Sequence, residues 1–187
     1  GSEYLKLVYD LVRGAPPLLD LDRERALQSL VVRLADERLI RSASDCSEGG
    51  LAVTVAECAF DTGGIGAELS VEPVTVARDP QLNIAAALFG ESASRIVVSV
   101  AVEAVTAVLT RAAAAGVPAR VVGRTGGDRL RIATGGTIVI DVSIDEAERV
   151  WSTAIERHFV PMAQPERGPS GRRRRTAETQ EPRALAV

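Results

Sequence analysis

Asp45, Ser47, Gly49 and Gly50 are the residues whose types and spacing point most directly to chemistry. They stand in the run Asp45-Cys46-Ser47-Glu48-Gly49-Gly50, which opens onto Leu51-Ala52-Val53 and an evident helix. Short oxygen side chains ahead of a glycine pair, with unobstructed N–H groups at a helix mouth, make a cradle for an anion such as phosphate. The same residues also suit plain helix capping, in which Ser47 or Asp45 accepts hydrogen bonds from the first turn with no ligand present. A second cluster, Gly90-Glu91-Ser92-Ala93-Ser94-Arg95, sets Glu91 and Arg95 at the i,i+4 spacing of either an ion pair or a ligand contact.

The other candidates for chemistry are sparse. Lys6 is the only lysine, so no phosphate loop of the Gly-Lys-Ser/Thr kind is present. Cys46, Cys58 and the single His158 do not make a four-ligand zinc site, and both cysteines fall in or beside a helix expected to be buried, where a thiol is a small apolar group. His158 reads as a solvent-facing or helix-terminal histidine, and Glu57 with Asp61 as a solvated acidic face. Catalysis complete within these residues is therefore not expected.

Charge narrows the partners. The net charge of −3 hides an asymmetry: the segment from Gln164 to Val187 carries six Arg against three Glu, which leaves the rest at −6. An acidic body argues against nucleic-acid binding, whose affinity comes from neutralising phosphates. No secretory signal or membrane-spanning run is evident, so no membrane partner and a reduced, cytoplasmic setting are expected. The Arg172-Arg173-Arg174-Arg175 run reads as a solvated charge block.

The elements that must position these motifs follow from periodicity. Ser2 to Val12 reads as a short helix closed by Gly14-Ala15-Pro16-Pro17, and Asp20 to Glu37 as an amphipathic helix striped by Leu27, Leu30, Val31 and Leu34. Ile40 to Ser44 leads into the Asp45 motif, and Gly49 to Phe60 forms the next helix. Ile65 to Val71 alternates as a strand, and Asn83 to Phe89 is a short helix. Arg95 to Val100 is a strand, Val102 to Ala112 a helix, and Ala119 to Gly123 a strand. Leu130–Ala133 and Thr137–Val142 flank the Thr134-Gly135-Gly136 turn of a hairpin. A last helix opens on the capping box Ser143-Ile144-Asp145-Glu146 and is expected to bury Ala147, Val150, Trp151, Ala154 and Ile155. The expected fold is α+β, an antiparallel-rich mixed sheet with helices packed on it. Residues 1–19 form a lead-in helix and linker, 20–160 the domain, and 161–187 a disordered Arg-rich tail.

Three motifs in order carry a resemblance: Asp45-Cys46-Ser47-Glu48-Gly49-Gly50, then Leu88-Phe89-Gly90-Glu91-Ser92 with Arg95, then Val122-Gly123-Arg124-Thr125-Gly126-Gly127. With the opening Glu3-Tyr4-Leu5, the stretch from Gly1 to Val160 resembles the last domain of the phosphoribosylformylglycinamidine synthase family, PurL subunit. The resemblance implies a three-layer α/β/α domain like the C-terminal domain of aminoimidazole ribonucleotide synthetase, partly ferredoxin-like. It implies part of an ATP- and Mg²⁺-dependent C–N ligase of purine biosynthesis, which converts formylglycinamide ribonucleotide to the amidine. The implied partners are the ATP-binding domains of the full subunit and its glutaminase and small bridging subunits. The family's catalytic residues lie in other domains, so the fragment alone is expected to be inactive. A nucleotide-binding role falls on Asp45, Ser47, Glu48, Gly49, Gly50, Gly90, Glu91, Ser92 and Arg95. Ala93 stands where a related half-domain carries a glutamine, and Ser44 where a histidine often precedes the aspartate. Both changes remove hydrogen-bonding capacity, which points to an auxiliary pocket. The alternatives are the equivalent domain of another enzyme of the superfamily, or a non-catalytic ferredoxin-like binding or oligomerisation module.

Overall fold

Two separate sets of buried apolar side chains lie on opposite faces of one sheet. The computed structural model describes residues 2–159 and 183–186, with the main chain alone described for His158 and for 183–186. The Arg172–Arg175 run and most of the segment expected to be disordered lie outside the described residues.

The elements in chain order are α1 (Glu3–Tyr9), α2 (Leu21–Asp36), β1 (Ser42–Asp45), α3 (Gly50–Ala59), β2 (Ala67–Val71), α4 (Pro80–Phe89) and β3 (Ile96–Ala101). One 3₁₀ turn (Val102–Ala104) leads into α5 (Val105–Ala114), followed by β4 (Val121–Thr125), β5 (Arg129–Thr134), β6 (Thr137–Ser143), α6 (Ile144–Ser152), α7 (Glu156–Phe159) and β7 (Arg183–Ala186). Helix starts follow local chemistry. The Asp20 carboxylate accepts the N–H groups of Asp22 and Arg23, each at 3.0 Å, to open α2. Asp79 does the same for α4, with Pro80 in the first turn where its missing N–H costs nothing. Ser143 caps α6, as its capping-box sequence anticipates.

The strands form one sheet in the order β1-β3-β7-β4-β2-β5-β6, in which only β2 and β5 run parallel. On one face, α3, α4 and α6 bring Leu51, Val55, Leu88 and Ile144 against Leu69, Val71 and Ile132. On the other, Leu27, Leu30 and Leu34 of α2 and Val108 and Ala112 of α5 pack on Val98 and Val100. Alternation along β3 feeds both sets, Val97 to the first and its neighbour Val98 to the second. This is the expected three-layer, antiparallel-rich α/β/α fold.

Two elements depart from the sequence expectations. Arg183–Ala186, expected within a disordered tail, is strand β7, paired antiparallel with β3 on one side and β4 on the other. The physical reason is main-chain demand: without β7, the N–H and C=O groups along the facing edges of β3 and β4 have no partner. The apolar stripe of the last helix is not buried, since Val150, Trp151 and Ile155 stay exposed; only its N-terminal end, at Ile144, enters the core.

Candidate functional site

Asp45 closes β1 and Arg95 immediately precedes β3, and the pairing of Asp45 with Ile96 sets the two motifs side by side. The N–H of Cys46 donates to the Arg95 carbonyl at 2.9 Å across this junction. Beside it lies a cleft of about 440 Å³ whose polar wall includes Asp45, Ser47, Glu91, Ser92 and Arg95. Leu19, Leu27 and Ile96 supply an apolar wall. The cleft is therefore amphipathic, as sites for molecules with a flat apolar part and a charged part are.

Glu48, Gly49, Gly50 and Gly90 do not line the cleft. Their part is geometric: Gly49 (φ +78°) and Gly50 (φ +70°) carry the chain through two successive left-handed residues, which glycine does without a Cβ penalty. That turn aims the Gly49 N–H at Glu91, whose Oε1 accepts it at 3.1 Å. The capping reading fails at this helix. The N-cap position falls on Gly49, which has no side chain to offer, and no side-chain oxygen caps α3. Ser47 instead donates its hydroxyl to the Asp45 carboxylate, while its carbonyl accepts the Gly50 N–H at 3.2 Å.

Glu91 and Arg95 do not pair with each other. Glu91 is engaged by main-chain N–H groups, and Arg95 Nη2 donates to the Gly90 carbonyl at 3.2 Å. Arg95 Nε is buried and has no hydrogen-bond partner. A buried guanidinium N–H left in this condition is costly unless an acceptor reaches it.

Glu24 and Ser94 also line the cleft, and sequence reasoning missed them. Glu24 sits one turn before Leu27 on α2, so i,i+3 spacing was its available signal; Ser94 lies two residues beyond Ser92. Ser94 adopts φ +59°, unusual for a residue with a Cβ, and its hydroxyl donates to Glu24 at 2.5 Å. That bond, with a second from Gln28, holds the Glu24 carboxyl below its ordinary value. Burial pushes the Cys46 thiol up, only partly countered by nearby Arg95, so it is protonated and unreactive at neutral pH. Cys58, expected to be buried, is exposed. Glu57 is more than a solvated acid, because it accepts the Trp151 indole N–H at 3.2 Å.

Fold and cleft together define a class: an α/β/α domain with an amphipathic pocket at the β1–β3 edge. The family model for the C-terminal domain of AIR synthase related proteins matches residues 1–135, and the chain belongs to that family. Among curated relatives, the PurL subunit of phosphoribosylformylglycinamidine synthase from Moorella thermoacetica is 44% identical over 155 residues, covering 83% of this chain and 20% of that protein. The PurL subunit from Thermomicrobium roseum is 41% identical over 155 residues with the same coverage. The chain thus spans about a fifth of the length of these relatives. Thermotoga maritima PurL complexed with ATP superposes with a TM-score of 0.62 at 21% identity, covering 72% of this chain and 23% of that one. The same protein complexed with FGAR gives 0.64 at 17% identity, covering 97% and 29%. These superpositions support the fold.

Proposed function

We propose that this chain is the C-terminal domain of a PurL-type subunit of phosphoribosylformylglycinamidine synthase, supplying scaffold and an auxiliary nucleotide-phosphate pocket to an ATP-dependent ligase of purine biosynthesis. The observation that carries the proposal is the convergence of family and geometry: the AIR-synthase-type match over 1–135 contains both motifs that meet at the cleft. In this reading the ATP-binding domains of the full subunit, and glutaminase and small bridging subunits, complete a cytoplasmic enzyme that engages neither membrane nor nucleic acid. No helix among the described residues is long and apolar enough to cross a membrane.

The residues fit a nucleotide better than they fit a free metal. The guanidinium-bearing Arg95 on the cleft wall suits a phosphate group, and the Leu19–Leu27–Ile96 wall suits a base or ribose face. Magnesium finds no place of its own, since no group of three or more His, Cys, Asp or Glu among the described residues is arranged to hold a metal ion. Glu24, Asp45 and Glu91 line the cleft with a single arginine, Arg95, so charge disfavours a bare polyphosphate and favours one carrying its own cation.

Calorimetric titration of the chain with ADP and ATP, with and without Mg²⁺, tests the proposal. Binding is expected with Mg²⁺ present, and Arg95→Ala is expected to weaken it at least tenfold, as loss of a charged hydrogen bond does. Asp45→Asn, which removes the negative charge while keeping the size and an oxygen that can accept from Ser47, is expected to alter the affinity as well. Heat-silent titrations at millimolar nucleotide leave scaffolding alone.

A further inference from the structure

Strand β7 fills a gap in the sheet that the other described residues leave open. It runs antiparallel to β3 and to β4, with Val98–Ala101 on one side and Val121, Gly123 and Arg124 on the other. Without it the sheet divides into β1–β3 and β4–β2–β5–β6, with two facing rows of main-chain N–H and C=O groups. The family match over 1–135 contains both walls of that gap and not the strand that fills it. The strand is four residues long and is joined to α7 by the 23 residues 160–182. A tether of that length reaches up to about 80 Å, several times the radius of gyration of about 16 Å expected of a compact chain of this size.

We propose that the β3–β4 gap is a strand-acceptor site that takes β7 from a second copy of this chain, so that two copies exchange C-terminal strands in a closed two-fold dimer. The register that seats β7 is one of main-chain pairing, and it is the same whichever copy supplies the strand. Reciprocal exchange fills both gaps, so neither copy is left with an open edge. Charge favours the crossing as well: residues 164–187 carry six Arg against three Glu, and the body to which they cross carries a net −6. Against exchange stands each copy's own tether, which holds its β7 at an effective concentration on the order of millimolar. The choice is made during folding, because pairing between segments so distant in sequence forms late, and until then a neighbouring copy's gap is open to the strand. Once seated, β7 leaves only by giving up its pairing along both edges.

The test refolds the full chain from urea at about 10 µM and at about 1 mM, below and near the effective concentration of the tethered strand. Cys58→Ser first removes the exposed native thiol. Two populations are then mixed, one carrying Ser99→Cys and the other Leu185→Cys. These positions are register partners, and directly opposite residues lie about 4.5–5.5 Å apart, within the span of a disulfide. Val98→Cys mixed with Ala186→Cys repeats the test one register along, where the type of pair alternates. Neither population can form its link within one copy, so a 99–185 or 98–186 disulfide, identified by peptide mass, reports exchange. The linked fraction is expected to rise at least tenfold between the two concentrations, and the linked dimer to persist on dilution, where a reversible association dissociates. As a check on folding, each cysteine pair placed in a single copy and refolded at about 10 µM is expected to close within that copy. Failure of both pairs to close there takes β7 out of the gap and the proposal with it. A chain that is monomeric after refolding at about 1 mM, or a dimer carrying neither link, overturns the exchange.

Discussion

Gly50 shows how little freedom the glycine pair has. A Cβ there would lie 2.8–2.9 Å from the Phe89 carbonyl carbon and the Leu88 and Gly90 carbonyl oxygens, at φ +70°. Gly50→Ala meets both a left-handed backbone and a wall of main chain that cannot rotate away, so a loss of about 2–3 kcal/mol is expected. Gly127→Ala shares the positive φ (+66°) with nothing within 4 Å of the added carbon and should cost about 1 kcal/mol. Urea unfolding of both variants checks the difference. The Glu24–Ser94 bond has a pH signature: a carboxyl depressed in the folded state stabilises above its unfolded value, and that contribution is lost as pH falls through the folded one. The stability gap between wild type and Ser94→Ala is therefore expected at neutral pH and should close as the pH falls through the lowered Glu24 value, followed by urea midpoints across the acid range. The motif residues were legible because short oxygens and paired glycines have few uses at a helix mouth. The partner of each was not legible: whether Ser47 turns to α3 or to Asp45, and whether Glu91 meets Arg95 or a distant N–H, is decided by the β1–β3 register.

Element by element, the sequence carried the strongly periodic segments and lost the short ones. Leu27, Leu30 and Leu34 announced α2, and the alternation from Ala67 to Val71 announced β2, because each buries one face on a regular repeat. Strand β1, Ser-Ala-Ser-Asp, has no β-branched or aromatic residue, and its strand character comes from pairing with β3, down to a Ser42–Ser99 hydroxyl contact at 2.6 Å. Strand β7 is the extreme case. Arg-Ala-Leu-Ala says nothing about a strand, yet Leu185 is in register with Ser99 on β3 and Gly123 on β4. Pairing between segments so far apart in sequence leaves no local trace. Leu185→Pro removes the N–H at the middle of this strand and is expected to destabilise by about 1–3 kcal/mol, read from the urea midpoint. It should also promote aggregation, seen by light scattering, because the facing edges of β3 and β4 become available to other chains.

Across the whole molecule the two sheet faces are finished differently. Helices α2 and α5 cover the β1–β3 part of one face, while further along it Glu68, Arg124, Arg131, Asp141 and Arg129 form an exposed ladder of ion pairs. Hydrogen bonds from Arg124 and Arg129 hold the Glu68 and Asp141 carboxyls below their ordinary values, as suits a solvated surface. Apolar groups lie open elsewhere: Leu18 is 98% exposed ahead of α2, and Trp151, Ile155 and Phe159 are 55%, 74% and 79% exposed along the last helices. A stripe that reads as core by periodicity and emerges exposed marks a surface that no other described residues cover. Since the chain spans about a fifth of its relatives' length, the proposed remainder of a PurL-type subunit is the natural cover. Alone, the chain is expected to self-associate with rising concentration in sedimentation equilibrium. If apolar contact drives this, added salt should leave the association intact or strengthen it, because screening weakens ion pairs and not apolar burial. Replacing Ile155 by Glu should shift the equilibrium to monomer without moving the urea midpoint, since that side chain contributes nothing to the core. A chain that stays monomeric at every concentration would place the missing cover elsewhere than on the α6–α7 face.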